Sequence, residues 1–174
     1  MKQKKGYVHI YTGDGKGKTT AALGLALRAA GAGMKVFIGQ FFKKKGSSEF
    51  AALARLNDAI TSRHYGKNHL LSNEPSEQDR KSAREGFLDA REAIMSGLYD
   101  LVILDEIILT VYFNLLAVED LLDLIRHKPD PIELVMTGRK ADLRLIEAAD
   151  LVTEMKEIKH YYQTGVLARR GIES

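Results

Sequence analysis

Short apolar runs alternate along the chain with longer stretches in which apolar residues recur every three or four positions. The short runs have strand length and the long ones helix length, so the pattern predicts βαβ units around a mainly parallel sheet. Strands are expected at 7–12, 36–42, 60–65, 101–104, 132–136 and 151–155. Helices are expected at about 18–30, 48–56, 77–95 and 143–149, with a further one marked by Val118, Leu121, Leu122 and Ile125 and stopped by Pro129. The first helix, closed by Gly31 and Gly33, is rich in Ala and Leu and is expected to be well buried. Within 77–95, Ala83, Phe87, Ala90 and Ile94 follow at four, three and four, which puts them on one face. Residues 101–104 are uninterruptedly apolar, as in a central strand covered on both sides. Residues 66–76 show no period and hold Gly66, Asn68, Asn73 and Pro75, so they form a loop of a length that is often functional.

Composition narrows the picture. A chain of 174 residues suits one domain with one core, spanning 1–174 with a short disordered arm at about 1–6. Cysteine is absent, which excludes disulfides, thiolate metal sites and cysteine nucleophiles together. There is no run of about 20 apolar residues and no signal-like stretch ahead of the first strand, so a cytoplasmic protein without membrane contact is expected. The net charge is only +3, and its two basic clusters, Lys2, Lys4 and Lys5 and then Lys43, Lys44 and Lys45, are too short to mark nucleic acid as a partner.

The strongest chemical signal lies between the first strand and the first helix: Thr12, Gly13, Asp14, Gly15, Lys16, Gly17, Lys18, Thr19, followed by Thr20. Backbone N–H groups of such a loop converge on phosphate oxygens, and side chains at Gly13, Gly15 and Gly17 would obstruct that approach. Lys18 supplies a mobile positive charge for a triphosphate and the Thr19 hydroxyl a ligand for Mg²⁺. The chain therefore reads as α/β of the P-loop NTPase-like (RecA-like) class. The general pattern has glycine where Thr12 stands, so the loop is a variant. Asp105 and Glu106 follow the 101–104 strand at the edge where open α/β sheets bind ligands, and either carboxylate suits Mg²⁺ there. Arg139, just past the fifth strand, is at the same edge, within reach of phosphate or ribose.

These residues resemble the ATP:corrinoid adenosyltransferases of the CobA/CobO/BtuR type. Their variant loop, Thr-Gly-x-Gly-Lys-Gly-Lys-Thr-Thr-Ala-Ala, is matched from Thr12 to Ala22. Further matches are Gln40-Phe41, Leu104-Asp105-Glu106, Thr137-Gly138-Arg139, Lys159-His160, Gly165-Val166 and Gly171-Ile172-Glu173. The resemblance implies transfer of the 5′-deoxyadenosyl group of ATP to the Co(I) of a reduced corrinoid, with release of triphosphate. ATP and the corrinoid are then substrates, and Lys18, Thr19 and Glu106 act on the leaving group, with Mg²⁺ on Thr19 and Glu106 and Asp105 nearby. It also implies a homodimer, an electron-donating flavoprotein partner, and a corrinoid-facing loop carrying Tyr65, His69 and Leu71. It does not extend to the aromatic pair that some relatives carry in that loop, or to their longer N-terminal helix. Two other classes remain open at this point: a P-loop ATPase or kinase acting at the γ-phosphate, with Glu106 orienting the attacking group, and a nucleotide-gated corrinoid carrier without turnover.

Overall fold

A computed structural model of the chain describes residues 5–42, 48–66 and 75–173. Six strands, β1 (Val8–Thr12), β2 (Val36–Phe41), β3 (Ile60–Tyr65), β4 (Leu101–Asp105), β5 (Glu133–Thr137) and β6 (Leu151–Glu154), form one sheet in the order β3-β2-β4-β5-β1-β6. Every pairing is parallel. The crossovers carry α1 (Lys18–Gly31), α2 (Ser48–Leu53, prolonged by a 3-10 turn at Ala54–Leu56), α3 (Glu77–Met95), α4 (Ile107–Tyr112), α5 (Val118–His127) and α6 (Leu143–Ala148). The architecture is the expected α/β one, with helices on both faces. Lys43, Lys44 and Lys45, together with His69 and Leu71, lie outside the described residues.

The period of two along each strand divides the interior into two cores. Leu101 and Ile103 join Val36, Ile38 and Val135 beneath α1 and α2, whereas Val102 and Leu104 join Phe37, Phe41 and Leu134 beneath α3, α4 and α5. A central strand with both faces covered must be apolar throughout, which is why β4 shows no alternation. Because β1 and β2 are separated by β5 and β4, α1 passes over the middle of the sheet. That crossing delivers the first turn of α1 to the ends of the central strands.

Two helices differ from the sequence pattern. In α1 it is Ala22, Ala26 and Ala29 that are buried, at spacings of four and three, while Leu27 is 60% exposed. Alanines let the helix backbone lie close on the sheet, Leu23 and Leu25 pack half-buried beside them, and Leu27 turns outward, so the helix is buried along one face rather than throughout. The pattern contained no α4 at all. Its Ile107, Ile108, Leu109 and Val111 form an apolar run without helical period, and Ile107 and Ile108 are fully buried.

The longest helix keeps its expected bounds because its start is capped. Ser76 Oγ accepts from Asp79 N at 3.2 Å, and Asp79 Oδ2 accepts from Ser76 N at 2.9 Å, a reciprocal cap whose loss costs about 1 kcal/mol. In the middle of α3, Gly86 lets the helix touch β3 and β2. A Cβ there would lie 2.5 Å from Tyr65 Cγ and 2.7 Å from Phe41 Cε1. Alanine gains roughly 1 kcal/mol of helix propensity over glycine, but overpacking against two rings costs about 1–3 kcal/mol. Gly86→Ala is therefore expected to lower the midpoint of urea unfolding; a midpoint at or above that of the parent chain would show that α3 can move aside.

At its other end the sheet is open. All four residues of β6 are exposed, with Leu151 and Val152 at about 40%. Just ahead of β1, Gly6 is buried and donates its N–H to Asp130 O.

Candidate active site

The loop between β1 and α1 is shaped by the chain that follows β6. Gly13 has φ +94°, and a Cβ on it would lie 2.4 Å from Met155 O. Gly15 N donates to that same carbonyl at 2.7 Å, and Met155 N donates to Thr12 O at 2.9 Å. The glycines thus admit the backbone of Met155, a second requirement besides approach to phosphate. α1 begins at Lys18 after Gly17, and no side chain caps its first turn. The N–H groups there keep the anion-binding capacity of a helix start. Lys18 is nearly buried, and its Nζ donates to Gly13 O at 2.7 Å and Gly15 O at 2.8 Å. An ammonium has three N–H donors, so one remains for a ligand. Burial lowers the Lys18 pKa from its ordinary value, Arg139 adds to this, and Glu106, Asp14 and Asp105 oppose it.

The acidic pair divides into an inner and an outer residue. Asp105 ends β4 with no exposed surface. Its Oδ1 accepts from Thr19 Oγ1 at 3.0 Å and from Thr137 Oγ1 at 2.6 Å, and its Oδ2 from Gln40 Nε2 at 3.0 Å. Glu106 comes next with φ 62°, a left-handed conformation that is sterically penalised in a residue with a Cβ. Its N–H donates to Thr137 Oγ1 at 2.9 Å. That turn of the backbone makes Glu106 the acidic residue of the pair that lines the cavity above the loop.

The cavity has a volume of about 840 Å³ and is lined on its floor by Asp14, Lys16, Lys18, Thr19 and Thr20, within the range of small-molecule sites. Glu106 and Arg139 stand on its rim, and Leu23 and Leu27 extend it along the outer side of α1. Asp14 also pairs with Lys140 at 3.7 Å. Tyr65 is not among the lining residues. Its ring packs on Phe41 with centroids 5.2 Å apart, and its hydroxyl donates to Asp89 at 3.1 Å. Burial first, and then Asp89, pushes its pKa up.

The donor set fits a hard cation. Thr19 donates its hydroxyl hydrogen bond to Asp105, which turns the acceptor side of its oxygen toward the cavity, and Glu106 adds a carboxylate. Among the described residues, no three His, Cys, Asp or Glu side chains converge on one point. A cation held here would complete its shell with substrate oxygens and water, as Mg²⁺ does.

Against this geometry, the sequence model of the family described as "ATP:corrinoid adenosyltransferase BtuR/CobO/CobP" matches residues 4–174. The chain belongs to this family. It is similar to the corrinoid adenosyltransferase of Pseudomonas aeruginosa, 32% identical over 99% of this chain and 85% of that one. It is similar also to the corrinoid adenosyltransferase of Escherichia coli K12, at 31% over 98% and 86%, and to the corrinoid adenosyltransferase CobA of Salmonella typhimurium, at 28% over 98% and 87%.

This member of the adenosyltransferase family carries site features that spacing alone did not single out. Gln40 and Thr137 grip Asp105, and the segment after β6 reaches back over the loop. Lys16 Nζ donates to Tyr161 Oη at 3.1 Å, Ile172 O at 3.1 Å and Glu173 Oε1 at 2.8 Å. Arg169 and Tyr161 hold the same Glu173 carboxylate. Arg169, then Lys16 and Tyr161, keep the Glu173 carboxyl well below the usual carboxylate range. With a lowered folded-state pKa, its contribution is complete above the ordinary value and is lost only as the pH falls through the lowered one. The C-terminal attachment is thus expected to be independent of pH from 5 to 8. Exposed ion pairs are individually weak, so Glu173→Gln should raise the rate of tryptic cleavage after Arg169 and Arg170 by at most about fivefold. A rate unchanged from the parent would mean that the carboxylate does not hold the segment.

Proposed function

We propose that this chain transfers the 5′-deoxyadenosyl group of ATP to the cobalt of a reduced corrinoid and releases triphosphate. The observation that carries the reading is a variant loop whose Lys18 and uncapped helix start floor a cavity rimmed by Glu106 and Arg139, in a chain matched over its length by the adenosyltransferase family. In the reaction the Co(I) electron pair forms the bond to C5′, the C5′–O bond breaks, and its electron pair leaves with the triphosphate. The cobalt goes formally from I to III. No protein nucleophile is needed.

What this chain must supply is placement and positive charge on the leaving group, which is catalysis by preorganised electrostatics. The third Lys18 N–H and the first-turn amides of α1 bind phosphate oxygens, and Thr20 and Arg139 extend the contact. Asp105 fixes the Thr19 hydroxyl. Mg²⁺, held by Thr19 and Glu106, would neutralise part of the developing charge when bound. The same reading makes the chain a cytoplasmic homodimer served by an electron-donating flavoprotein, and it leaves His69 and Leu71 as the candidates for contact with the corrinoid, since Tyr65 is taken up by Phe41 and Asp89. Among the described residues, no helix is long and apolar enough to cross a membrane, and the open edge of β6 offers a surface for a second copy.

The experiment is anaerobic incubation with ATP, Mg²⁺ and chemically reduced cob(I)alamin, following the corrin spectrum and assaying triphosphate and phosphate. Adenosylcobalamin and triphosphate in equal amounts are expected. Steady phosphate release with no Co–C bond would instead establish an ATPase or kinase acting at the γ-phosphate.

A further inference from the structure

Three neighbouring strands end in a row. β2, β4 and β5 are adjacent in the sheet, Gln40 is the partner of Asp105 across β2 and β4, and Leu104 is the partner of Met136 across β4 and β5. Gln40, Asp105 and Thr137 therefore stand side by side, each the first polar residue after a buried apolar run. With the period of two, they share the face that Ile38, Ile103 and Val135 turn toward α1. All three have no exposed surface.

We propose that Thr137 and Gln40 are positioning residues that orient the acidic pair toward the metal of the substrate complex. The inference rests on the reading of Thr19 and Glu106 as Mg²⁺ ligands. Thr137 acts on both acids through one oxygen: it donates to Asp105 Oδ1 at 2.6 Å and accepts from Glu106 N at 2.9 Å. The first bond fixes the carboxylate that accepts the Thr19 hydrogen bond. The second anchors the left-handed Glu106 backbone that turns this side chain into the cavity. A hydroxyl has a donor and two acceptor lone pairs, so it performs both tasks at once. Valine has the same shape and performs neither.

Gln40 grips the other carboxylate oxygen, with Nε2 3.0 Å from Asp105 Oδ2. The two grips come from opposite neighbours of β4, so the plane of the carboxylate is fixed from both sides. Thr19 Oγ1 lies 3.0 Å and 3.1 Å from the two carboxylate oxygens, consistent with a hydroxyl centred on that fixed plane. Outer partners of this kind matter because a ligand that must first be oriented loses affinity for its metal; removing one typically weakens metal binding 10- to 100-fold.

The test measures binding, not turnover: the ATP dissociation constant with Mg²⁺ and with EDTA, by calorimetry, and their ratio. In the parent chain Mg²⁺ is expected to tighten ATP binding. In Thr137→Val that tightening should fall about tenfold or more while the EDTA value stays within about twofold, and Gln40→Met should act in the same direction. Thr137→Ser, which keeps the hydroxyl, should restore the ratio. A mere loosening of the fold would weaken both dissociation constants alike and leave their ratio unchanged, and that result overturns the proposal. If Thr137→Val does not fold, the Gln40→Met ratio decides in the same way. A parent ratio of one would remove the metal reading and this proposal with it; a large parent ratio equally large in both variants would remove this proposal alone.

Discussion

Lys18→Ala is expected to lower adenosyl transfer by roughly 10²–10³-fold, the usual effect of deleting one preorganised donor to developing negative charge. Thermal stability should change little in comparison. The ammonium is nearly buried, which costs solvation, and the two loop carbonyls at 2.7 and 2.8 Å offset that cost. Alanine removes both terms together, and water reaches the exposed side of the loop. What alanine does not replace is the third N–H, which the proposed reaction assigns to the leaving group. The measurement is triphosphate release under anaerobic single-turnover conditions beside a melting curve. Activity within tenfold of the parent would place the leaving-group charge on other groups, and a collapse of the melting temperature would mean that Lys18 holds the loop rather than the substrate.

The residues that perform such work were legible in the sequence where their spacing is local. The stretch from Thr12 to Thr20 declares itself because a phosphate cradle must be contiguous, and α3 because nineteen residues keep one period and begin with a cap. Where the determinant is contact between distant segments, one-dimensional pattern fails for identifiable reasons. α4 is only six residues long, too short for a period to show, and its buried residues Ile107, Ile108 and Thr110 are set by what packs on them. α1 buries alanine because closeness to the sheet, not side-chain size, sets which face turns inward. Gln40 and Thr137 are single polar residues at strand ends; only the strand order shows that they flank Asp105. The sequence signals available were a polar residue late in an otherwise buried strand and the place of both residues in stretches matched to the family, neither of which tells what they touch. The contacts of the segment from Met155 to Glu173 with the loop leave no trace in its local pattern, because its partners, Gly15 and Lys16, lie some 140–157 positions away.

Asp105 offers the largest expected effect on stability, and two substitutions at this one position should differ sharply. Asp105→Ala leaves the Thr137 hydroxyl and the Gln40 amide, both without exposed surface, without the acceptor they share, whereas the Thr19 hydroxyl faces the cavity and can turn to water there. At about 1 kcal/mol for each of the two stranded buried donors, the low end of the range, the loss is about 2 kcal/mol. Relief of the desolvated charge offsets part of it, but no apolar group fills the space, so the sign holds. Asp105→Asn keeps the volume and one acceptor oxygen and adds an NH₂ group. That group would oppose Gln40 Nε2, except that Gln40 Oε1 is buried with no hydrogen-bond partner among the described residues. A half-turn of the Gln40 carboxamide brings this oxygen to the new donor, so Asp105→Asn is expected to cost only about 1 kcal/mol. It nonetheless removes the charge that accepts the Thr19 hydrogen bond, and transfer should still fall by about 10²-fold. Urea unfolding and triphosphate release on both variants separate the two roles. Equal stability losses would show that Gln40 cannot turn and that the charge, not the count of acceptors, holds the three strand ends together.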